Sequence, residues 1–348
     1  MAHHSSQSTV RRRPLQRRRV AGSPGLAIDI GTGHVRIATP QRVLLDEPSV
    51  IAYGPGGAIV AVGASAHGLI GRSPADIEVV RPILGSAIVN LAAAERLLAE
   101  LVVRHGVRSP SRHEPVVVAV PCVANELERR ALLQCVAGVF HRRRLLTIDT
   151  PVAAAIGADL AVHQPLGTLV VDVGCGSTEA AMISLGAIVV ERSAAVGSDA
   201  AVSAVIDHLE RAHGLQVGHP SAERLIRDVS RQQPALLVRG VHRRSGLPEA
   251  LELGPDEIRA AIAPVLDEVA AIVASLLDAS PAPLAVDVME HGITLTGAAA
   301  TLDGLAARVA TSTGLPVAAS DAHSRAVIDG ARHWLRHPLD GLQRGITC

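Results

Sequence analysis

Five short apolar runs punctuate the chain: residues 26–30 (LAIDI), 115–120 (PVVVAV), 145–148 (LLTI), 168–173 (TLVVDV) and 292–296 (GITLT). Each is bounded by turn residues and has no regular polar face, the pattern of strands buried on both sides. Helical patterns lie between them. Residues 88–103 place Ile88, Leu91, Leu98, Leu101 and Val102 on one stripe. Residues 125–136 open on Asn125, a good N-cap, and 201–214 end at Gly214, a helix stop. Residues 255–280 start with proline and acids, as helices do, and Pro264 is expected to kink or split that helix. Strands alternating with helices predict an α/β fold.

Composition narrows the class. The chain has 348 residues, 48% of them hydrophobic, enough for two domains or one large one. No run of eighteen uninterrupted apolar residues occurs, so no spanning helix is expected. Residues 1–23 are polar, basic and without periodicity, and read as a disordered tail. Their arginines are followed by no apolar segment, so they do not read as a secretory signal. The formal net charge is zero, yet six arginines lie in residues 11–20 and the first twenty residues hold no acid. All 33 basic residues are arginine. Cys122, Cys135, Cys175 and Cys348 show no paired spacing and read as reduced thiols. One residue each of Trp, Tyr and Phe leaves little to stack on bases, and no basic helix is evident, so no nucleic-acid partner is expected.

Two stretches carry candidate chemistry. Asp29-Ile30-Gly31-Thr32-Gly33 and Asp172-Val173-Gly174-Cys175-Gly176 each follow an apolar strand and precede another extended run. The repeat suggests two related halves. Glycines let a backbone approach an anion closely and turn its N–H groups toward it. An aspartate at each strand end can hold Mg²⁺ between the loops, directly or through water. Thr32, Ser177 and Thr178 add hydroxyl donors. Other phosphate motifs fail: the chain has no lysine for a P-loop, and Arg36 and Glu179 stand where a dinucleotide fingerprint needs its third glycine. No GxSxG or HExxH occurs, and the sixteen histidines show no ligand spacing.

The twin DxGxG loops resemble those of the actin, sugar-kinase and heat-shock-chaperone ATPase superfamily, and the chain is most similar to the MreB/Mbl family of bacterial actin homologues. The likeness runs from about residue 25 to about 330. It is carried in family order by residues 44–54 (LLDEPSVIAYG), 61–88, 118–132 (VAVPCVANELERRAL), 148–160 (IDTPVAAAIGADL), 170–189, 221–228 (SAERLIRD) and 292–305 (GITLTGAAATLDGL). The resemblance implies an actin-like, ribonuclease H-like fold with two lobes and four subdomains around a nucleotide cleft. The first lobe would span 24–150 with a minor subdomain at about 39–75. The second would span 151–330 with a minor subdomain at about 197–256, and 331–348 would return to the first lobe. ATP and Mg²⁺ are the implied cofactors. Asp29, Gly31, Thr32, Gly33 and His34 would form one phosphate loop, and Asp172, Gly174, Cys175, Gly176, Ser177 and Thr178 the other. Asp29 and Asp172 would hold the metal. Glu223 and Ile226 would lie by the adenosine, with Gly297, Ala298 and Ala299 behind it.

The departures from the family pattern fall on the chemistry. Thr150 stands where the family has the glutamate that positions the attacking water, and a hydroxyl is a poor general base. With Ser177, it is the expected catalytic position. Asp149, beside it, is expected to point elsewhere. Ala298 and Ala299 replace two glycines, Ile226 replaces a lysine, and Cys175 replaces a glycine. Weak or absent ATPase activity is therefore expected. The resemblance further implies self-association into filaments at the cytoplasmic face of the membrane, with cell-wall machinery or another MreB paralogue as partners. The family's hydrophobic membrane loop is replaced by polar residues at 104–115, and the arginines at 11–20 could attract an anionic membrane surface instead. Alternatives are a non-hydrolysing modulator of a typical MreB and a small-molecule kinase. A kinase would need a clear catalytic base, and a chaperone would need a peptide-binding domain after residue 330.

Overall fold

The computed structural model describes residues 25–141 and 144–337, with the backbone alone for residue 144 and for 344–347. The tail at 1–23, its arginines at 11–20 and Cys348 lie outside the described residues.

Two sheets built on one plan carry the molecule. In the first, Leu26–Ile30, His34–Ala38 and Val43–Pro48 form an antiparallel meander, and Val116–Val120 and Arg144–Asp149 extend it in parallel. Arg344–Thr347 adds an antiparallel edge. In the second, Thr168–Val173, Thr178–Ser184 and Ala187–Ala194 form the meander, and Ile293–Thr296 and Val317–Ala319 follow in parallel. The central strands are buried along nearly their whole length, as their unbroken apolar runs require. Smaller three-stranded sheets form from Ile51–Tyr53, Ile59–Val62 and Glu78–Val80, and from Leu215–Gln216, Leu236–His242 and Pro248–Leu253.

Each large sheet has its own core. Leu97, Leu98 and Leu101 of helix Leu91–Arg104 pack on the first, and Ile262, Val269 and Val273 of helix Pro255–Asp278 pack on the second. A third cluster joins the two sheets. It is built on helices Thr150–Gly157 and Ala326–Arg336, which cross so closely that neither tolerates a side chain at the contact. A Cβ on Gly157 would strike the Ala326 carbonyl oxygen, and one on Gly330 would strike that of Ala153.

Two helices differ from expectation. Pro264 does not split helix Pro255–Asp278: eight buried residues, from Ile258 to Leu276, hold the helix against the core and outweigh one lost hydrogen bond. That helix is long and apolar enough to cross a membrane, but this buried stripe packs in the core of the second sheet. The helix expected from residue 88 begins at Leu91, because Asn90 caps it by accepting from the Ala93 N–H at 3.0 Å. Ile88 lies instead in a two-residue strand paired with Ile83. The Asn125 cap forms as a full capping box with Glu128.

Candidate functional site

The two aspartate–glycine turns have the same local geometry. The Gly31 N–H donates to the His34 carbonyl at 2.9 Å, and the Gly174 N–H donates to the Ser177 carbonyl at 2.8 Å. Strand register then places Asp29 opposite Arg36 and Asp172 opposite Glu179. The turns also touch. A Cβ on Gly33 would run into the Cys175 sulfur, and one on Gly176 would lie 2.6 Å from Thr32 Oγ1, so both positions need glycine. Ser86, in a left-handed conformation at φ 68°, bridges them. Its N–H donates to Thr32 Oγ1 at 3.0 Å, and its hydroxyl lies 2.5 Å from that of Ser177.

A cavity opens where the turns meet. Asp29, Gly31, Thr32, Gly33 and His34 line one side; Asp172, Gly174, Cys175, Gly176 and Ser177 line the other. Thr150, Gly297 and Ala298 complete it, together with Arg36, Ser86, Glu179 and His323. Four other residues expected at the site do not line it. Thr178 is buried and donates its hydroxyl to the Val196 carbonyl at 2.7 Å. Ile226 and Ala299 face the core of the second sheet. Glu223 lies outside, 3.4 Å from His219 Nδ1 and 4.0 Å from His67 Nε2. The cavity thus gathers the phosphate end of the expected site and leaves Glu223 and Ile226 beyond it. Of the two alanines in the 296–299 loop, only Ala298 lines the cavity. Gly297 has φ 92° and no room for a Cβ beside Val173, so glycine is required there.

The floor of the cavity is strongly acidic. Asp29, Asp172 and Glu179 line it with one guanidinium, that of Arg36, which lies 3.5 Å from Asp29 and 3.0 Å from Asp46. Desolvation raises the Asp29 carboxyl even against the pull of Arg36. Burial carries Asp172 to about 6, opposed by a 2.8 Å bond from the Thr296 hydroxyl and reinforced by the Asp29 charge. Burial carries Glu179 to about 7, although it accepts from the Cys122 N–H at 2.9 Å, and the Asp172 charge adds to the rise. The Cys175 thiol is likewise pushed up by burial and stays protonated.

The Glu179 shift has a measurable consequence. Its carboxyl binds a proton more readily folded than unfolded, so its contribution to stability is full below about pH 4.5 and is lost as pH rises through about 7. In nucleotide-free protein, thermal melts should show stability falling between pH 5 and 8 by on the order of 3 kcal/mol from this group. Glu179→Gln should flatten that slope; an unchanged slope would exclude the group as its source.

The family model for MreB/Mbl proteins matches residues 23–340. The chain belongs to the MreB/Mbl family. It is 34% identical over 311 residues to the cell shape-determining protein MreB of Escherichia coli K12, covering 86% of this chain and 89% of that protein. To the cell shape-determining protein Mbl of Bacillus subtilis it is 28% identical over 299 residues, covering 84% and 90%. Crystal structures of MreB5 of Spiroplasma citri, bound to AMPPNP and to ADP, superpose with a TM-score of 0.84 at 27% identity, covering 90% of this chain and 96% of theirs. The MamK double helical filament gives 0.72 at 19% identity, a likeness of fold alone. The fold is therefore actin-like, as the twin loops imply.

Membership in the MreB/Mbl family raises the question of a metal, and the donor set fits one. Three carboxylates, Glu179 buried and Asp29 and Asp172 half-buried, against one arginine leave an excess of negative charge at the cavity floor. Desolvation raises all three, as it does for anions lacking a cation. Oxygen donors of this kind suit a hard divalent ion. Thr150, meanwhile, is the first residue of helix Thr150–Gly157 and faces the cavity. Asp149 does turn away, its carboxylate 3.7 Å from Arg129. Arg36, Glu179, Ser86 and His323 are among the cavity residues that sequence reasoning did not assign. Arg36 and Glu179 were visible as matched positions, seven residues after each aspartate, but their place at the floor comes from strand register.

Proposed function

We propose that this chain is a nucleotide-dependent filament subunit of the MreB kind, which holds ATP with Mg²⁺ between its twin loops and hydrolyses it slowly or not at all. The observation that carries this reading is the pair of matching strand–turn–strand units facing each other across one acidic cavity. The N–H groups of the two glycine turns would cradle the phosphates, with Thr32 and Ser177 adding hydroxyl donors. Asp29 and Asp172 would hold Mg²⁺, which supplies positive charge against the phosphates and the carboxylates alike. Thr150 would hold a water by hydrogen bonding without accepting its proton. The lobes would divide near residue 150, with the crossed helices at Gly157 and Gly330 forming the base of the cleft.

By likeness to relatives named for cell shape, the assembled subunit would serve cell shape and wall organisation from the cytoplasm. Residues 11–20 would draw it to the anionic inner face of the membrane, each arginine worth roughly 1 kcal/mol there. The hydroxyl at position 150 also favours a second reading, a non-hydrolysing partner that co-assembles with a typical MreB. Sedimentation and negative-stain microscopy test assembly. Filaments should pellet with ATP and Mg²⁺ and should be lost in Asp172→Ala. Equal pelleting by both proteins would remove nucleotide from the account, and absence of assembly in every nucleotide state would sink the filament reading. Added anionic vesicles should pellet the full chain and not one lacking residues 1–23.

A further inference from the structure

A second cluster of ligating side chains lies apart from the cleft. Helix Ser198–His213 carries His208 and His213 near its C-terminus, and Gly214 ends it in a left-handed conformation at φ 64°. Glu257 sits in the first turn of helix Pro255–Asp278. Both imidazoles direct Nε2 at one oxygen of Glu257, His208 at 2.8 Å and His213 at 2.5 Å. The three donor atoms lie within 4.8 Å of one another. The rings stand nearly perpendicular, 76° apart, so the two Nε2 atoms approach the carboxylate from different directions. All three side chains are about 30% exposed, which leaves a side open to water.

We infer that His208, His213 and Glu257 form a zinc-binding site that fastens the end of one helix to the start of the other. Two imidazole nitrogens and one carboxylate oxygen are a zinc donor set, with water as fourth ligand. Such a set disfavours Ca²⁺ and Mg²⁺, which take oxygen. Tetrahedral zinc with bonds near 2.0–2.1 Å spaces its donors by about 3.3 Å, so the two rings need withdraw from Glu257 by only about half an ångström or a little more. Asp256, beside Glu257, does not compete, being paired with Arg259 at 2.7 Å. Placement gives the site reach. Helix Ser198–His213 starts at the second glycine turn, where the Ser198 N–H donates to the Gly174 carbonyl at 3.1 Å and the Asp199 N–H donates to that of Cys175 at 2.8 Å. Zinc would therefore brace the far end of the element that backs that turn.

Metal-free full-length protein titrated with Zn²⁺ by calorimetry tests the site, with Co²⁺ as a spectroscopic probe. One zinc per chain is expected at micromolar affinity, and the Co²⁺ form should show the absorption of a tetrahedral centre. His213→Ala and Glu257→Gln should each weaken binding by about a hundredfold, while His242→Ala leaves it unchanged. Zinc should also shield His208 and His213 of the unmutated protein from acylation by diethylpyrocarbonate, read by mass spectrometry. Millimolar affinity, binding unaltered by both ligand variants, or equal labelling with and without zinc would overturn the inference. None of these readouts depends on nucleotide.

Discussion

Thr150→Glu is expected to release phosphate from ATP about a hundredfold faster than the parent chain, with nucleotide affinity little changed. Position 150 opens helix Thr150–Gly157 and faces the cavity between the two turns. The hydroxyl there can orient a water but cannot take its proton. Asp149 cannot substitute, because its carboxylate is turned to Arg129. Glutamate is favoured in the first turn of a helix, so the replacement should not disturb the fold. Single-turnover phosphate release on both proteins checks this. Equal rates would mean that the water is positioned elsewhere, with Glu179, whose carboxyl is carried to about 7 at the cavity floor, the next group to replace.

Gly330→Ala is expected to destabilise the protein by about 3 kcal/mol or more, among the larger costs a single methyl can impose. The added carbon would strike the Ala153 carbonyl oxygen and lie 2.8 Å from the Gly157 backbone nitrogen. Backbone is the obstacle on both sides, so no rotamer change relieves it. Gly157→Ala meets the reciprocal clash and should behave alike. Gly254→Ala is the control, since nothing lies within 4 Å of its Cβ. Denaturant melts followed by circular dichroism compare the three. A Gly330→Ala protein as stable as the control would show that the helices do not cross this closely. Because this pair joins the cores of both sheets, the destabilised variant should lose nucleotide along with stability.

The strands were legible because both faces of each are buried, and runs such as Val116–Val120 record that directly. The twin turns were legible because the repeat is written in aspartate and glycine. What stayed hidden depends on contacts distant in sequence. Ser86 bridges Thr32 and Ser177 from more than fifty residues away on either side. The Gly157–Gly330 crossing joins residues of two helices with no shared local signal. Side-chain direction was hidden as well: Ala298 and Ala299 read alike in sequence, yet one faces the cleft and the other the core. The continuity of helix Pro255–Asp278 through Pro264 follows from burial that local propensity does not contain.

If the acidic cavity between the turns is a nucleotide site dependent on a divalent ion, equilibrium titration of the full-length protein with fluorescent ATP, with Mg²⁺ and with EDTA, shows it most directly. Micromolar or tighter binding with Mg²⁺ is expected, with release on chelation and binding weaker by about a hundredfold in Asp172→Ala. No binding of ATP or ADP under either condition, or binding indifferent to both Mg²⁺ and Asp172, would contradict it.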